Sequence, residues 1–143
     1  MKSHETTTTV DVRDEPLSID AAFAGVQDRR AGAVCIFIGT VREVDEGREV
    51  TALRYESHPI AVRRMREIVD EVTDEVDVIA VHAVHRIGDL AIGDLAVVVA
   101  VSSGHRGEAF EAGRRIIDAL KDQVPIWKLQ TFTAGDAEWV NSP

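Results

Sequence analysis

The residues best suited to chemistry sit in one short segment, Lys121-Asp-Gln-Val-Pro-Ile-Trp-Lys128. Lysine occurs three times in the 143 residues, the third copy being Lys2, while arginine occurs thirteen times. Guanidinium groups therefore meet the ordinary need for surface cations. Two ammonium groups around a Pro-Ile-Trp turn mark a place for what lysine does and arginine does not: lose its proton and act as base or nucleophile. Each lysine also has a plainer reading. Lys121 falls in the last turn of an expected helix, where any cation meets the dipole favourably, and Lys128 follows Trp127 as an exposed strand residue would. If both converge with Arg42, mutual repulsion is expected to lower at least one lysine pKa, and a bound phosphate would oppose that shift.

Two further clusters carry positive charge. Gly39-Thr40-Val41-Arg42 lies where a strand runs out into a loop. Ser102-Ser103-Gly104-His105-Arg106-Gly107 lies where a strand passes into a helix. A helix N-terminus exposes free backbone N–H groups, glycine permits close approach, and His105 and Arg106 add donors, which together suit a phosphate. The alternative is an ordinary cap by Ser103 with Arg106 in solvent. His82 and His85 resemble metal ligands, but their odd separation on a strand points them to opposite faces, so no metal site is expected. Cys35, the one cysteine, lies in the apolar run Gly32-Ala-Val-Cys-Ile-Phe-Ile-Gly39 and is read as a small buried hydrophobe. Trp127 and Phe132 are expected in the core, whereas Trp139 lies close to the C-terminus, where an aromatic often anchors a tail or a partner.

These groups need a scaffold, and the composition limits what it can be. With 45% hydrophobic and 29% charged residues, the chain is of ordinary soluble type. The net charge of −9 disfavours nucleic acid and anionic membrane as partners. Acid richness with few lysines resembles adaptation to high salt. No apolar run is long enough to span a bilayer, and the polar start Met-Lys-Ser-His-Glu has no signal-peptide pattern, so a cytoplasmic setting is expected.

Residues 1–9 are expected to form a flexible tail, and 10–143 a single domain. Strands are expected at 9–13, 33–41, 50–57, 77–85, 94–103, 126–132 and 136–140. Helices are expected from Ser18 as N-cap to about 27, from 60 to 76, and from 107 to 121. In the first, Ile19, Ala22, Phe23 and Val26 share a face. In the second, Val62, Met65, Val69, Val72 and Val76 do so. The third buries Phe110, Gly113, Ile116, Ile117 and Leu120, and Pro125 forbids its continuation. Residues 42–49 read as a mobile loop and 86–93 as a turn. The sum is an α+β fold on a mainly antiparallel sheet with about three helices.

In sequence order the chain carries Phe37-Ile-Gly-Thr-Val-Arg42, Leu53-Arg-Tyr-Glu56, Val84-His-Arg-Ile-Gly88, Ser103-Gly-His-Arg106, Ala109-Phe-Glu-Ala112, Asp118-Ala-Leu-Lys121 and Pro125-Ile-Trp-Lys128, closing with Trp139-Val140. This series resembles the large, catalytic subunit of molybdopterin synthase, over about residues 10–140. The resemblance implies an α/β hammerhead fold and a sulfurtransferase of molybdenum cofactor biosynthesis, with no resident cofactor. Its substrate would be cyclic pyranopterin monophosphate. Sulfur would arrive as a thiocarboxylate on the C-terminal Gly-Gly of a small ubiquitin-like subunit. Two large subunits would form a central homodimer within a heterotetramer.

Carried onto this chain, the resemblance makes Lys121 and Lys128 the catalytic lysines. It makes Thr40, Val41, Arg42, His105 and Arg106 substrate contacts, the last two offered by this chain or across a dimer. With the two lysines, Leu129 and Gln130 complete the substrate-binding set that the resemblance implies. They depart from the family pattern of a basic residue followed by Glu, which puts their part in ordering the lysine or gripping the partner's tail in question. Two other classes fit the same residues: a non-catalytic module binding a ubiquitin-like protein or a phosphorylated ligand, and a phosphate-ester hydrolase. The hydrolase would need a carboxylate–metal constellation that the sequence does not offer.

Overall fold

The segment Leu-Ala-Val-Val-Val-Ala-Val-Ser-Ser, uncharged and rich in β-branched residues, forms the central strand β7 (Leu95–Ser103), as its propensity dictates. Side chains alternate across a strand, so Val97, Val99 and Val101 enter one core while Val98 and Ala100 enter another on the opposite face. The computed structural model describes residues 5–45, 47–133 and 135–140. Lys2 and the first four residues of the expected tail lie outside them.

On one side β7 pairs antiparallel with β5 (Ala80–Arg86), and on the other with β2 (Ala33–Thr40). The strand β1 (Thr7–Arg13) adds to β5 in parallel, with Thr7 opposite Ala80, so pairing begins inside the stretch expected to be a tail. The order β1-β5-β7-β2 makes the first sheet. A second sheet runs β3 (Val44–Asp45), β4 (Arg48–Ser57), β8 (Ile126–Phe132) and β9 (Ala137–Val140), with β6 (Gly88–Leu90) pairing β4. Three helices, α1 (Ile19–Val26), α2 (Ala61–Glu75) and α3 (Arg106–Gln123), complete an α+β fold whose pairing is antiparallel except at β1–β5. Helix α1 packs on β5 and β7, where Ala22 and Val26 share a core with Val98 and Ala100. Helices α2 and α3 pack together on the other face, burying Met65, Ile68, Val69, Ile116 and Leu120 with Val99 and Val101. Burying side chains of this size contributes about 1.5–3 kcal/mol each.

Local chemistry sets the ends. Ser18 caps α1, its hydroxyl accepting the Ala21 N–H at 3.0 Å. Helix α3 ends at Val124, whose N–H reaches the Leu120 carbonyl, and Pro125 then starts the turn into β8.

Several expectations are corrected. The 42–49 segment is a tight hairpin, with Val44 paired to Glu49 and Asp45 to Arg48, because Gly47 takes a positive φ of 80° at its tip. The 86–93 turn contains β6, which finds a partner in β4 only through the fold. Phe110 is 63% exposed, and Val62, Ile19 and Phe23 are also exposed, while Ile68 is buried in their place. Helical spacing sets a stripe, but its edges are decided by what packs against them. Cys35 is only half-buried, as is Trp127, whereas Phe132 is buried with the Arg48 guanidinium 3.8 Å over its ring. Trp139 is exposed.

Gly32 precedes β2 and donates its N–H to the Ser103 carbonyl, and a Cβ built there would sit 2.5 Å from the Gly104 carbonyl oxygen. Backbone cannot retreat as a flexible side chain can. Gly32→Ala is expected to cost about 1–3 kcal/mol in denaturant unfolding. Gly107→Ala, where the added carbon meets nothing within 4 Å, should be neutral or slightly stabilising.

Candidate active-site cleft

Residues 40–42 and the α3–β8 segment, remote in sequence, meet where the two sheets adjoin. β2 ends at Thr40, and the chain continues through Val41 and Arg42. Val41 is pinned to the turn before β7: its N–H donates to the Asp94 carbonyl at 3.0 Å, and its carbonyl accepts the Gly93 N–H at 2.7 Å. Gly93 has a φ of 89°, which favours glycine at that turn. The last turns of α3 bring Lys121, and β8 brings Lys128 opposite Tyr55 of β4. Together they line a cleft of about 310 Å³ whose walls also include Gly39, Leu53, Tyr55, His85 and Gln130.

The strand geometry sorts the predicted residues. Lys128 and Gln130 are two apart on β8 and both line the cleft. Leu129 alternates away, lying opposite Arg54 and Trp139. His105 and Arg106 are at the other end of α3, and neither lines the cleft. The fifteen residue steps from Arg106 to Lys121 amount to about 22 Å of helix axis. His105 is the N-cap residue, in extended conformation and without a side-chain cap. Ser103 does not cap either, because its hydroxyl donates to the His105 carbonyl. Thus Thr40, Val41, Arg42, Lys121, Lys128 and Gln130 converge, while His105, Arg106 and Leu129 do not join them within one chain.

Three residues with a bearing on the chemistry were not singled out from sequence as site residues. Asp45 of β3 pairs with the exposed Arg42 guanidinium at 2.8 Å. Its carboxyl is held below the usual aspartate range, first by hydrogen bonding to Gln130 and then to Arg42, with Lys128 adding attraction. Tyr55, the one tyrosine in the sequence, has its phenol pushed up to about 12 by burial and by the nearby Asp45 charge. His85 is 1% exposed and lies edge-on to Tyr55, with ring centroids 4.8 Å apart. Its Nδ1 is 2.7 Å from the Arg86 carbonyl, which can only accept, so Nδ1 carries the hydrogen. Its Nε2 is buried and has no partner. Burial pushes the imidazole down to about 4, against the Arg86 carbonyl, with the Lys121 charge acting in the same direction as burial. Sequence could have flagged His85 through its place in His85-Arg-Ile-Gly88, but not its orphan nitrogen. His82, three residues earlier, is on the opposite face beside Gly25. Among the described residues, no cluster of three or more His, Cys, Asp or Glu is arranged to hold a metal, and no helix is long and apolar enough to cross a membrane.

A small cationic cleft on a net-acidic chain suits a compact anion held locally better than a long polyanion along the surface. The family follows from comparison with known proteins. Residues 12–123 match the family described as MoaE protein. The chain is 43% identical over 128 residues to molybdopterin synthase catalytic subunit 1 of Mycobacterium tuberculosis, covering 89% of this chain and 86% of that protein. It is 38% identical over 131 residues to the molybdopterin synthase catalytic subunit of Bacillus subtilis, covering 91% and 83%. The crystal structure of molybdopterin synthase from Staphylococcus aureus superposes with a TM-score of 0.86 at 35% identity, over 92% of this chain and 96% of that one. A complex of subunits 1 and 2 of molybdopterin-converting factor from Helicobacter pylori shares the fold, with a TM-score of 0.68 at 19% identity, over 95% and 88%. The chain belongs to the MoaE family, the catalytic subunits of molybdopterin synthase. The resemblance read from the motifs is borne out.

Two titrations follow. For Asp45 the folded pKa is depressed, so its pairing stabilises the fold above the ordinary aspartate range and is lost as pH falls through the folded value. Carbon-detected NMR should place its midpoint below that of free aspartate, and Gln130→Ala should raise it. For His85 the folded pKa is also depressed, so the unfolded chain binds the extra proton first. Stability is then fully present above about 6.5 and falls as pH drops towards about 4. His82, lowered mainly by burial, adds to the same trend. Denaturant midpoints measured across that range should fall, and His85→Phe should flatten part of the slope.

Proposed function

We propose that this chain converts cyclic pyranopterin monophosphate to molybdopterin, using sulfur from a thiocarboxylate on the C-terminal Gly-Gly of a small ubiquitin-like subunit. The observation that carries this reading is the convergence of Arg42, Lys121 and Lys128 on one cleft. The substrate phosphate is an anion, and the arriving thiocarboxylate is another. A guanidinium and two ammonium groups on one cleft stabilise both and bring them together. A lysine assists opening of the cyclic phosphate and the accompanying proton movements, and a lysine steadies the thiocarboxylate before attack. Thr40 and Val41 shape the wall beside Arg42, and Gln130 links the lysine strand to Asp45.

His105 and Arg106 belong to the substrate site through a second copy of the chain, in a homodimer at the centre of a heterotetramer. The length of α3 between them and Lys121 favours that arrangement. Exposed apolar side chains at Phe37 and Phe110 are consistent with surfaces that a second copy covers. Leu129, turned away from the cleft, bears on the partner surface and not on the substrate. Residues 10–143 act as one domain. A single cysteine fits a cytoplasmic setting.

Lys121→Ala is expected to lower molybdopterin formation from pyranopterin and thiocarboxylated partner by about 100-fold or more, with the fold retained. Full activity would remove that residue from the chemistry. Lys121→Arg and Lys128→Arg separate enzyme from binding module. Each keeps the charge and loses the titratable amine, so turnover should fall while association with the small subunit, read by calorimetry, stays within a few-fold.

A further inference from the structure

We propose that Nε2 of His85 is the hydrogen-bond acceptor by which the cleft recognises an N–H of the bound pterin ring. The inference rests on the substrate class given under the proposed function. It starts from an imbalance in the cleft. Its charged side chains, Arg42, Lys121 and Lys128, are donors, suited to the phosphate end of the ligand, while of the uncharged Thr40 and Gln130 the latter is engaged with Asp45. A pterin ring carries N–H groups of its own, which those cations cannot accept. His85 supplies the complementary atom. Its Nδ1 hydrogen is committed to the Arg86 carbonyl at 2.7 Å, so Nε2 presents a lone pair in a single tautomer. That nitrogen is buried without a partner although the residue lines the cleft.

The ring is also fixed in orientation. Tyr55 meets it edge-on at 80° between planes, and β5 holds it opposite Val97 of β7. Leu53, Tyr55, Ala96 and Val97 add flat or apolar surface around it, as a heterocycle requires. Burial and the nearby Lys121 charge keep the imidazole neutral at physiological pH, so the lone pair stays available. An unmet acceptor in an otherwise well-packed wall is the kind of group a ligand donor satisfies. His85 is thus assigned as a substrate-orienting residue. No proton transfer is assigned to it.

The test is equilibrium binding of cyclic pyranopterin monophosphate to the large subunit alone, where the absence of sulfur donor prevents turnover, with inorganic phosphate as second probe. His85→Phe keeps an aromatic ring and removes the acceptor. His85→Gln keeps an acceptor oxygen. The expected result is about a 10- to 100-fold loss of pterin affinity in His85→Phe. His85→Gln should recover part of that loss, and phosphate affinity should be unchanged in both. In 15N-histidine-labelled wild-type chain, the Nε2 resonance should move upfield on adding the pterin and stay in place on adding phosphate; this readout stands even if a variant fails to fold. Equal pterin affinity in wild type and His85→Phe, a parallel loss of phosphate binding, or an Nε2 signal indifferent to the pterin would each overturn the proposal. Failure of the wild-type chain to bind the pterin at all would instead bring down the functional reading beneath it.

Discussion

The antiparallel register of β8 on β4 is the constraint from which the cleft follows. With Lys128 opposite Tyr55 and Gln130 opposite Leu53, both β8 side chains share a face with the aromatic and aliphatic wall of β4. A slip of one residue would present Leu129 in their place and send the ammonium group to the other side. The turn at Val124 and Pro125 sets the same geometry from the other direction. It stops α3 just beyond Lys121 and turns the chain directly into β8, so two lysines seven residues apart in sequence reach one cavity. Neither element could be lengthened without separating them.

Gathering cations in a small space costs energy, and the Asp45 carboxylate offsets part of it. Asp45 is delivered by the β3–β4 hairpin, pairs with Arg42, and is hydrogen-bonded by Gln130. Gln130, where the motif resemblance implies a Glu, therefore has a structural context. An amide stands on β8, and a carboxylate from β3 stands against it. The charge near Lys128 is supplied by a neighbouring strand and not by β8 itself. Burial, with the Asp45 charge added, raises the Tyr55 phenol, so the aromatic wall stays neutral beside the cations.

Buried polar atoms show where the fold has accepted a cost. Nε2 of His85, Nε of Arg86 and Oγ of Ser102 are buried without partners. An unmet buried group of this kind costs about 1–3 kcal/mol. Two of the three are adjacent at the end of β5, where Arg86 also reaches Asp94 at 3.2 Å. Asp94 in turn accepts the Ala91 N–H and, through its backbone, holds Val41. The strand end that carries His85 is thereby tied to the loop that carries Arg42.

The sequence by itself determined the order of the described elements other than β3 and β6, the central buried strand, the Ser18 cap, the stop at Pro125 and the choice of the two lysines as candidates. These depend on local propensity, on side-chain periodicity and on residue scarcity, all readable along one chain. It also carried enough motif in order to point to the family. Only the tertiary structure decided which edge of each helix is covered, exposing Phe110 and burying Ile68. Only it brought Asp45, Tyr55 and His85 to the lysines and placed His105 and Arg106 at the far end of α3. The physical reason is the same in each case. Convergence between β3, β4, β5 and β8 is set by long-range strand register, and no window of adjacent residues contains that information.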